Sequence, residues 1–251
     1  MNFLKVNKYT YETEKWESSE VTYLSDIYQV RALMIAPKMS EVNFINVYLR
    51  GGKGQVGKVR LGRLLQFMRD DTVVVGPYYR GSNRGEGMDE LAGADVEDVT
   101  ALIAVLRARY PRAKVNLIGF SRGGIQALNT LKYVEVDGLL MVNAVSSIYQ
   151  MYEERQDLRG MMRRIIGHPE KDSEAYDARE AIDDDIYLPK VLIIHGGKDR
   201  HVDIKNAEIF VEYLEEREHP YTYEIFDNEV HALSPPAIKH MKRLFWDMVE
   251  K

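Results

Sequence analysis

A glycine-flanked serine, an aspartate and a histidine follow one another along this chain in an order that could carry out acyl transfer. The serine is Ser121, within Gly119-Phe120-Ser121-Arg122-Gly123-Gly124. An apolar stretch, residues 115–118, leads into it, and a helix-competent stretch, residues 125–133, leads away. This context predicts a strand, a sharp turn and a helix, with the serine at the apex. Small neighbours are required there, because a strained turn leaves no room for a Cβ two positions away. Such a turn lifts the hydroxyl above the sheet edge and aims a helix N-terminus at it. Gly-x-Ser-x-Gly alone is a common turn; the strand before it and the helix after it point to a nucleophile.

A serine hydroxyl attacks a carbonyl only with a base beside it, and the base must be oriented by an acid. Downstream, four apolar residues, 191–194, read as a buried strand that runs into His195-Gly196-Gly197-Lys198-Asp199. A helical stretch follows over 204–218. Residues 221–226 then alternate like a strand, and 227–231 form the loop that carries His231. Asp199 and His231 thus each stand just past a predicted strand. In a parallel sheet those ends gather on one edge, where ligands bind. Each residue has a plainer reading taken singly: a turn serine, a turn or N-cap aspartate, a surface histidine. The order and the shared sheet edge favour the joint one. Of the other histidines, His168 and His195 precede the acid and His201 lies too close to it. His219 ends a helix before Pro220, and His240 lies inside the last helix.

Acyl transfer also needs backbone N–H donors aimed at the developing oxyanion, each contributing about 3–4 kcal/mol. The amide of Arg122, directly after the nucleophile, is one expected donor. The amide of Gly52, in the post-strand loop Arg50-Gly51-Gly52-Lys53, is the other. The same loop holds a competing motif, Gly52-Lys53-Gly54-Gln55-Val56-Gly57-Lys58, which matches a phosphate-cradling Gly-x-x-x-x-Gly-Lys. Val59 follows it in place of the Ser or Thr that would hold magnesium, and no apolar strand ends in a supporting aspartate, so nucleotide hydrolysis is disfavoured.

The elements that must position these groups alternate along the chain. Residues 21–24 and 28–36 read as an antiparallel pair around Ser25-Asp26, and 44–49, 72–75 and 139–142 as further strands. Leu61, Leu64, Leu65 and Met68 share one helix face, and Val96, Val99, Ile103, Leu106 and Tyr110 share another. The last helix, 238–249, is expected to start after Pro235-Pro236. Alternation of this kind predicts an α/β fold, a mostly parallel twisted sheet covered by helices on both faces. Residues 146–187 break the rhythm and read as a short helical cap inserted within one domain spanning 1–251. Tyr149, Met151, Tyr152, Met161 and Met162 are its expected contributions to a substrate pocket.

Composition narrows the class. The 251 residues are 45% hydrophobic and 29% charged, enough for one sizeable core. The net charge of -5 offers no basic footprint for nucleic acid. With no cysteine, disulfides, thiolate catalysis and cysteine-bound metals are excluded. No run approaches the roughly 20 apolar residues that cross a bilayer, and residues 1–11 lack a signal-peptide core. A cytoplasmic protein with no membrane partner is the expectation.

With these residues in place, the chain resembles the α/β-hydrolase superfamily, and more narrowly the catalytic domain of the prolyl oligopeptidase family. Tyr79-Arg80-Gly81-Ser82, then Gly93-Ala94-Asp95-Val96-Glu97-Asp98-Val99, is similar to that family's Tyr-Arg-Gly-Ser and Gly-x-Asp-x-x-Asp-Val pattern. Gly119 to Gly124 is similar to its elbow. Ile166-Gly167-His168-Pro169-Glu170 and Tyr176-Asp177-Ala178-Arg179-Glu180-Ala181-Ile182 are similar to its segment before the acid strand. His195-Gly196-Gly197-Lys198-Asp199-Arg200-His201-Val202 is similar to its His-Gly-x-x-Asp-x-x-Val turn. The resemblance implies Ser121 as nucleophile, Asp199 as acid and His231 as base, with no metal or organic cofactor. Two departures stand out: Arg50-Gly51-Gly52-Lys53 replaces the family's His-Gly-Gly-Pro, and Arg122 replaces an aromatic residue that often follows the serine. The chain has no room for the N-terminal propeller of the large peptidases, and no acidic pair recognisable as a clamp for a peptide N-terminus. The expected function is a serine hydrolase acting on small ester or short peptide-like acyl substrates. A peptidase proper and a silent binding module of the same fold are the alternatives.

Overall fold

The structure, a computed structural model, describes residues 2–39, 41–53, 57–83, 85–183 and 186–251. Nine strands form one sheet in the order β1-β2-β3-β5-β4-β6-β7-β8-β9. These are β1 (Lys5–Glu12), β2 (Trp16–Ser25), β3 (Tyr28–Pro37), β4 (Phe44–Leu49), β5 (Thr72–Pro77), β6 (Lys114–Phe120), β7 (Gly138–Val142), β8 (Lys190–Gly196) and β9 (Tyr221–Phe226). The first three meander antiparallel and join β5 antiparallel. From β5 through β4 to β9 every neighbouring pair is parallel. The sheet is therefore mostly parallel and flanked by helices, as the alternation of elements predicts.

Alternation of side chains divides the core into two layers. On one face Ile45, Val47, Leu117, Leu139 and Ile193 pack under α2 (Val96–Arg109), α3 (Gly123–Thr130) and α7 (Lys205–Glu216). On the other, Phe44, Tyr48, Ile118, Leu140 and Leu192 meet α1 (Leu61–Leu64), the 3₁₀ turn Leu65–Phe67 and α8 (Pro235–Glu250). Burial of each large side chain contributes about 1.5–3 kcal/mol. Central strands β4, β5 and β7 are buried on both faces and read as largely apolar runs; the one polar residue inside β4, Asn46, donates to the Phe67 carbonyl and accepts from Asn116.

Three boundaries differ from expectation. The outermost strand β1 is exposed along nearly its whole length and carries no buried-face signal. The last helix starts at Pro235 itself; prolines suit a first turn that has no N–H partner to lose, and Ser234 caps it by accepting from the Ala237 amide. The helix predicted around Leu61 to Met68 tightens to a 3₁₀ turn after one helical turn.

Between β7 and β8 the chain forms α4 (Ile148–Glu154), α5 (Arg159–Ile165), α6 (Ser173–Asp177) and a 3₁₀ turn, Ala181–Asp183. Ser147 caps α4, and the buried Glu180 carboxylate accepts from the Ser147 hydroxyl at 2.9 Å and the Ile148 amide at 3.0 Å. These helices share a small core, including Ile148, Tyr152, Met162 and Tyr176, which rests on Ile125 and Val145 beside the elbow. Asp184 and Asp185 of this insertion lie outside the described residues, as do Gly54, Gln55 and Val56 of the phosphate-loop-like motif. Val59, where that motif would need a hydroxyl, is buried in the core. No described helix is long and apolar enough to cross a membrane.

Candidate active site

Strands β4 and β6 are neighbours, yet the chain leaves β4 for β5 on one side and reaches β6 on the other. The crevice above them is the switch point of the sheet. Gly51 and Gly52 leave one strand there and Ser121 the other, since Leu49 pairs with Gly119 in register. Ser121 has φ +55°, a left-handed conformation that costs a non-glycine residue about 1–3 kcal/mol. Its own main chain holds it: the N–H donates to the Val142 carbonyl at 3.2 Å, and the carbonyl accepts from Gly124 at 3.0 Å and Val145 at 2.9 Å. The neighbouring glycines are compulsory. A Cβ on Gly51 would stand 2.7 Å from that of Ser121, one on Gly119 would stand 2.8 Å from the Gly124 Cα, and one on Gly123 would fall onto the Leu49 carbonyl oxygen.

Asp199 lies past β8 and His231 past β9. His231 Nδ1 stands 2.7 Å from Asp199 Oδ2. The other carboxylate oxygen accepts from the amides of His201 at 2.7 Å and Val202 at 3.2 Å. Burial alone would raise the Asp199 carboxyl, but the hydrogen bonds from His231, His201 and Val202 and the His231 charge outweigh it and hold the group below the usual carboxylate range. The His231 ring leans on Phe120 and on His201, each with centroids 5.0 Å away. His195, one residue before the Gly-Gly turn, is buried and faces inward. Its Nε2 meets the Val202 carbonyl at 3.1 Å, which fixes a proton there, and burial pushes the imidazole toward its neutral form. It thereby anchors the loop whose Val202 amide holds Asp199.

One residue that sequence reasoning missed ties the two loops together. Asn143, at the end of β7 with φ +45°, donates to the main-chain carbonyl of His231 at 2.9 Å and accepts from the Gly196 amide at 2.7 Å. Its signal was slight: a polar residue ending an apolar strand.

Ser121 and His231 open into one cavity of about 460 Å³, within the range of small-molecule sites. Gly51, Gly52 and Arg122 line it as well. The Arg122 N–H, at the start of α3, has no acceptor among the described residues, and Gly52 has φ +63°. Of the five residues expected from the insertion, Met151 and Met161 line the cavity. Tyr149, Tyr152 and Met162 do not, which corrects that expectation. Met162 and Tyr152 are buried in the core beneath. Tyr149 packs on Tyr176 and hydrogen-bonds Asp177 at 2.5 Å. The missed lining residues of the insertion are Glu154, Arg155 and Leu158.

Behind Gly52 and Arg122 sits a buried ionic cluster. Arg122 grips Asp89 with both terminal guanidinium nitrogens, at 2.6 and 3.2 Å. Arg50, buried to 1% exposure, lies 3.5 Å from the same carboxylate. Arg50 also donates to the carbonyls of Gly51 at 3.1 Å and Gly52 at 3.3 Å. Tyr79 lies 5.0 Å from each guanidinium, ring to charge. The two departures from the family pattern, Arg50 and Arg122, are thus joined through one aspartate. Burial would raise Asp89, but Arg122, Arg50 and Lys53 together pull it below its ordinary value.

Asp95 is fully buried, and neither carboxylate oxygen has a partner among the described residues. Burial pushes its carboxyl up to about 7, against the pull of Arg122. A raised carboxyl contributes stability below its unfolded value, near pH 4, and loses it as the pH rises through 7. Asp95→Asn should therefore stabilise the protein at pH 8, on the order of 2 kcal/mol, and change little at pH 4. Urea unfolding at both pH values tests this; destabilisation at pH 8 would mean that the ionised form is the one the fold requires.

Comparison with known proteins agrees with this architecture. The prolyl oligopeptidase family pattern matches residues 60–249. The uncharacterized peptidase YtmA of Bacillus subtilis (strain 168) is 36% identical over 233 residues, covering 89% of each chain. Among solved structures, the acylaminoacyl peptidase of Pyrococcus horikoshii superposes with a TM-score of 0.80 at 18% identity, over 95% of this chain and 42% of that one. A puromycin-hydrolyzing peptidase of Mycobacterium tuberculosis gives 0.75 at 20%, over 92% and 39%. The α/β serine hydrolase XC6422 of Xanthomonas campestris gives 0.67 at 15%, over 96% and 97%. This chain spans about two fifths of the two peptidase structures and nearly all of XC6422. Matched by the family pattern over most of its length, the chain belongs to the prolyl oligopeptidase family and is a serine-type hydrolase of the α/β-hydrolase fold.

Proposed function

We propose that Ser121, His231 and Asp199 form the catalytic triad of a hydrolase that cleaves small ester or short peptide-like acyl substrates. The observation that carries this reading is the 2.7 Å contact between His231 and Asp199 in loops that open, with Ser121, into one cavity. Asp199 accepts the Nδ1 proton of His231, leaving Nε2 as the basic nitrogen. Nε2 takes the Ser121 proton while Oγ attacks the carbonyl. The amides of Arg122 and Gly52 receive the oxyanion. His231 then passes its proton to the leaving group, and the acyl-enzyme is hydrolysed by a water activated at the same nitrogen. The volume of the cavity and its apolar wall of Leu91, Val145, Met151, Leu158 and Met161 suit a compact acyl group.

The test is labelling by a fluorophosphonate probe, wild type beside Ser121→Ala. The wild type should be labelled and the variant should not. A screen of 4-nitrophenyl esters against aminoacyl-4-nitroanilides then sorts leaving groups. Folded wild-type protein that resists the probe, or a labelled Ser121→Ala, overturns the assignment of Ser121.

A further inference from the structure

The loop that follows β4 places a lysine on the cavity wall. Lys53 lines the cavity beside Gly52 and Ser121. Its Nζ donates to the main-chain carbonyl of Asp89, and it forms no ion pair among the described residues. The three other charged residues on the wall are engaged by the protein, Arg122 by both oxygens of Asp89. Both carboxylate oxygens of Asp157 hold Arg155, at 2.9 and 2.7 Å, and Arg155 also donates to the His201 carbonyl at 3.1 Å. Glu154 accepts from the Asp203 amide and the Asn206 side chain through Oε2, each at 3.1 Å; its Oε1 is buried with no hydrogen-bond partner among the described residues, and burial pushes the carboxyl up, toward its neutral form.

The charges behind the wall do not neutralise Lys53 either. The Asp89 carboxylate is taken by Arg122 and flanked by Arg50. Arg50, Lys53, Arg122 and Arg179 are four cations around three carboxylates, Asp89, Asp95 and Glu90, and burial drives Asp95 toward its neutral form. Burial also pushes the Lys53 ammonium below its ordinary value, against the attraction of Asp89, as expected of a cation short of counter-charge. Most of the remaining wall is apolar, and an ammonium with unused donors attracts an anion more strongly there than in open water.

We propose that Lys53 selects carboxylate-bearing substrates, so that the preferred acyl compound carries an anionic group within reach of Nζ. This rests on the hydrolase reading above. The carboxylate could sit on the acyl portion or on the leaving group, for example as the free C-terminus of a short peptide; the shared chemistry is a carboxylate on an otherwise compact substrate. The competing role for Lys53 is a plain staple between the oxyanion loop and the Asp89 carbonyl.

The experiment compares kcat/KM for two matched pairs on the whole protein. 4-Nitrophenyl hydrogen adipate against its methyl ester places the charge on the acyl side. 4-Acetoxybenzoate against its methyl ester places it on the leaving group. In at least one pair the wild type should favour the acid about 10-fold or more, and 0.5 M salt should shrink that ratio. Lys53→Met should lower the acid-to-ester ratio about 10-fold, and Lys53→Glu should invert it. The pair that responds identifies the side of the anion. Wild type that favours both methyl esters, or variants that slow acid and ester alike with the ratio unchanged, would sink the proposal and leave the staple. Absence of any Ser121-dependent hydrolysis of the four compounds overturns the hydrolase reading and the proposal with it.

Discussion

Ser121→Ala and His231→Ala are each expected to lower turnover by the same factor, on the order of 10⁴–10⁶, and the double variant should lose no more. The reason is that neither residue acts without the other: an alkoxide is not formed without the base, and the base has nothing to deprotonate without the hydroxyl. What survives in all three is binding and the oxyanion amides. Asp199→Asn should cost about 10⁴ for a different reason, which the geometry makes specific. Asp199 Oδ1 accepts two amide hydrogen bonds, from His201 and Val202. An asparagine would turn its oxygen toward those donors and leave its NH₂ facing His231 Nδ1. Nδ1 would then have to accept, and the proton would move to Nε2, where the base is needed. The side-chain volume is nearly unchanged, so circular dichroism and the melting temperature should stay close to wild type while kcat falls. Losses that multiply in the Ser121 and His231 double variant would show that the two residues work independently, and the triad reading would fail.

The parts of this site that were legible in the sequence are those set by local rules. A strand followed by Gly-x-Ser-x-Gly and a helix fixes an elbow, because the turn tolerates only glycine where Cβ atoms would collide with Ser121, Leu49 and Gly124. Asp199 and His231 stand out in the sequence because each lies in the loop just past a short apolar or alternating run. The lining of the cavity was harder to read, and the reason is instructive. Met151 and Glu154 line it from α4, Arg155 ends that helix and Leu158 stands just before α5, so the lining crosses a break that no single helical period follows. Apolar character alone selected Met151 and Met161 but also Tyr149, Tyr152 and Met162, whose side chains hold the insertion together. A helix that sits between a core and a cavity has two apolar faces, and its charged residues fall on the face that matters for substrate. Arg50, Asp89 and Arg122 were invisible as a unit for another reason. They are distant in sequence, and nothing in a single charged residue announces a buried partner.

That buried unit leads to the second large expectation: Asp89→Asn should lower kcat about 10²–10³-fold while KM moves less than about 3-fold. Asp89 touches neither cavity nor substrate in this arrangement; it acts through the two arginines. Arg122 bears the amide that follows Ser121, and its guanidinium is clamped by both Asp89 oxygens. Arg50 holds the carbonyls of Gly51 and Gly52 and thus orients the peptide planes of the opposite donor loop. In the proposed mechanism one carboxylate therefore governs the spacing of the two amides that receive the oxyanion. Removing its charge leaves two guanidiniums buried and facing each other, so the loop and the elbow should drift apart. The ground-state carbonyl makes weaker demands on those amides than the oxyanion does, which is why the loss should appear in kcat. Removing one partner of a buried ion pair also costs about 3–5 kcal/mol of stability, so the rate must be read together with unfolding. Arg50→Lys separates the two effects: it keeps the positive charge, but one ammonium cannot replace both Nη1, which holds the two glycine carbonyls, and Nη2, which holds the Tyr78 carbonyl and Ser82 Oγ and faces Asp89. It should keep more of the stability than Asp89→Asn while still losing turnover. Across both variants, affinity for a boronic acid, which mimics the tetrahedral intermediate at Ser121, should fall in step with kcat/KM. Boronate affinity that stays at the wild-type level while turnover drops would mean that the cluster supports the fold without aligning the oxyanion donors.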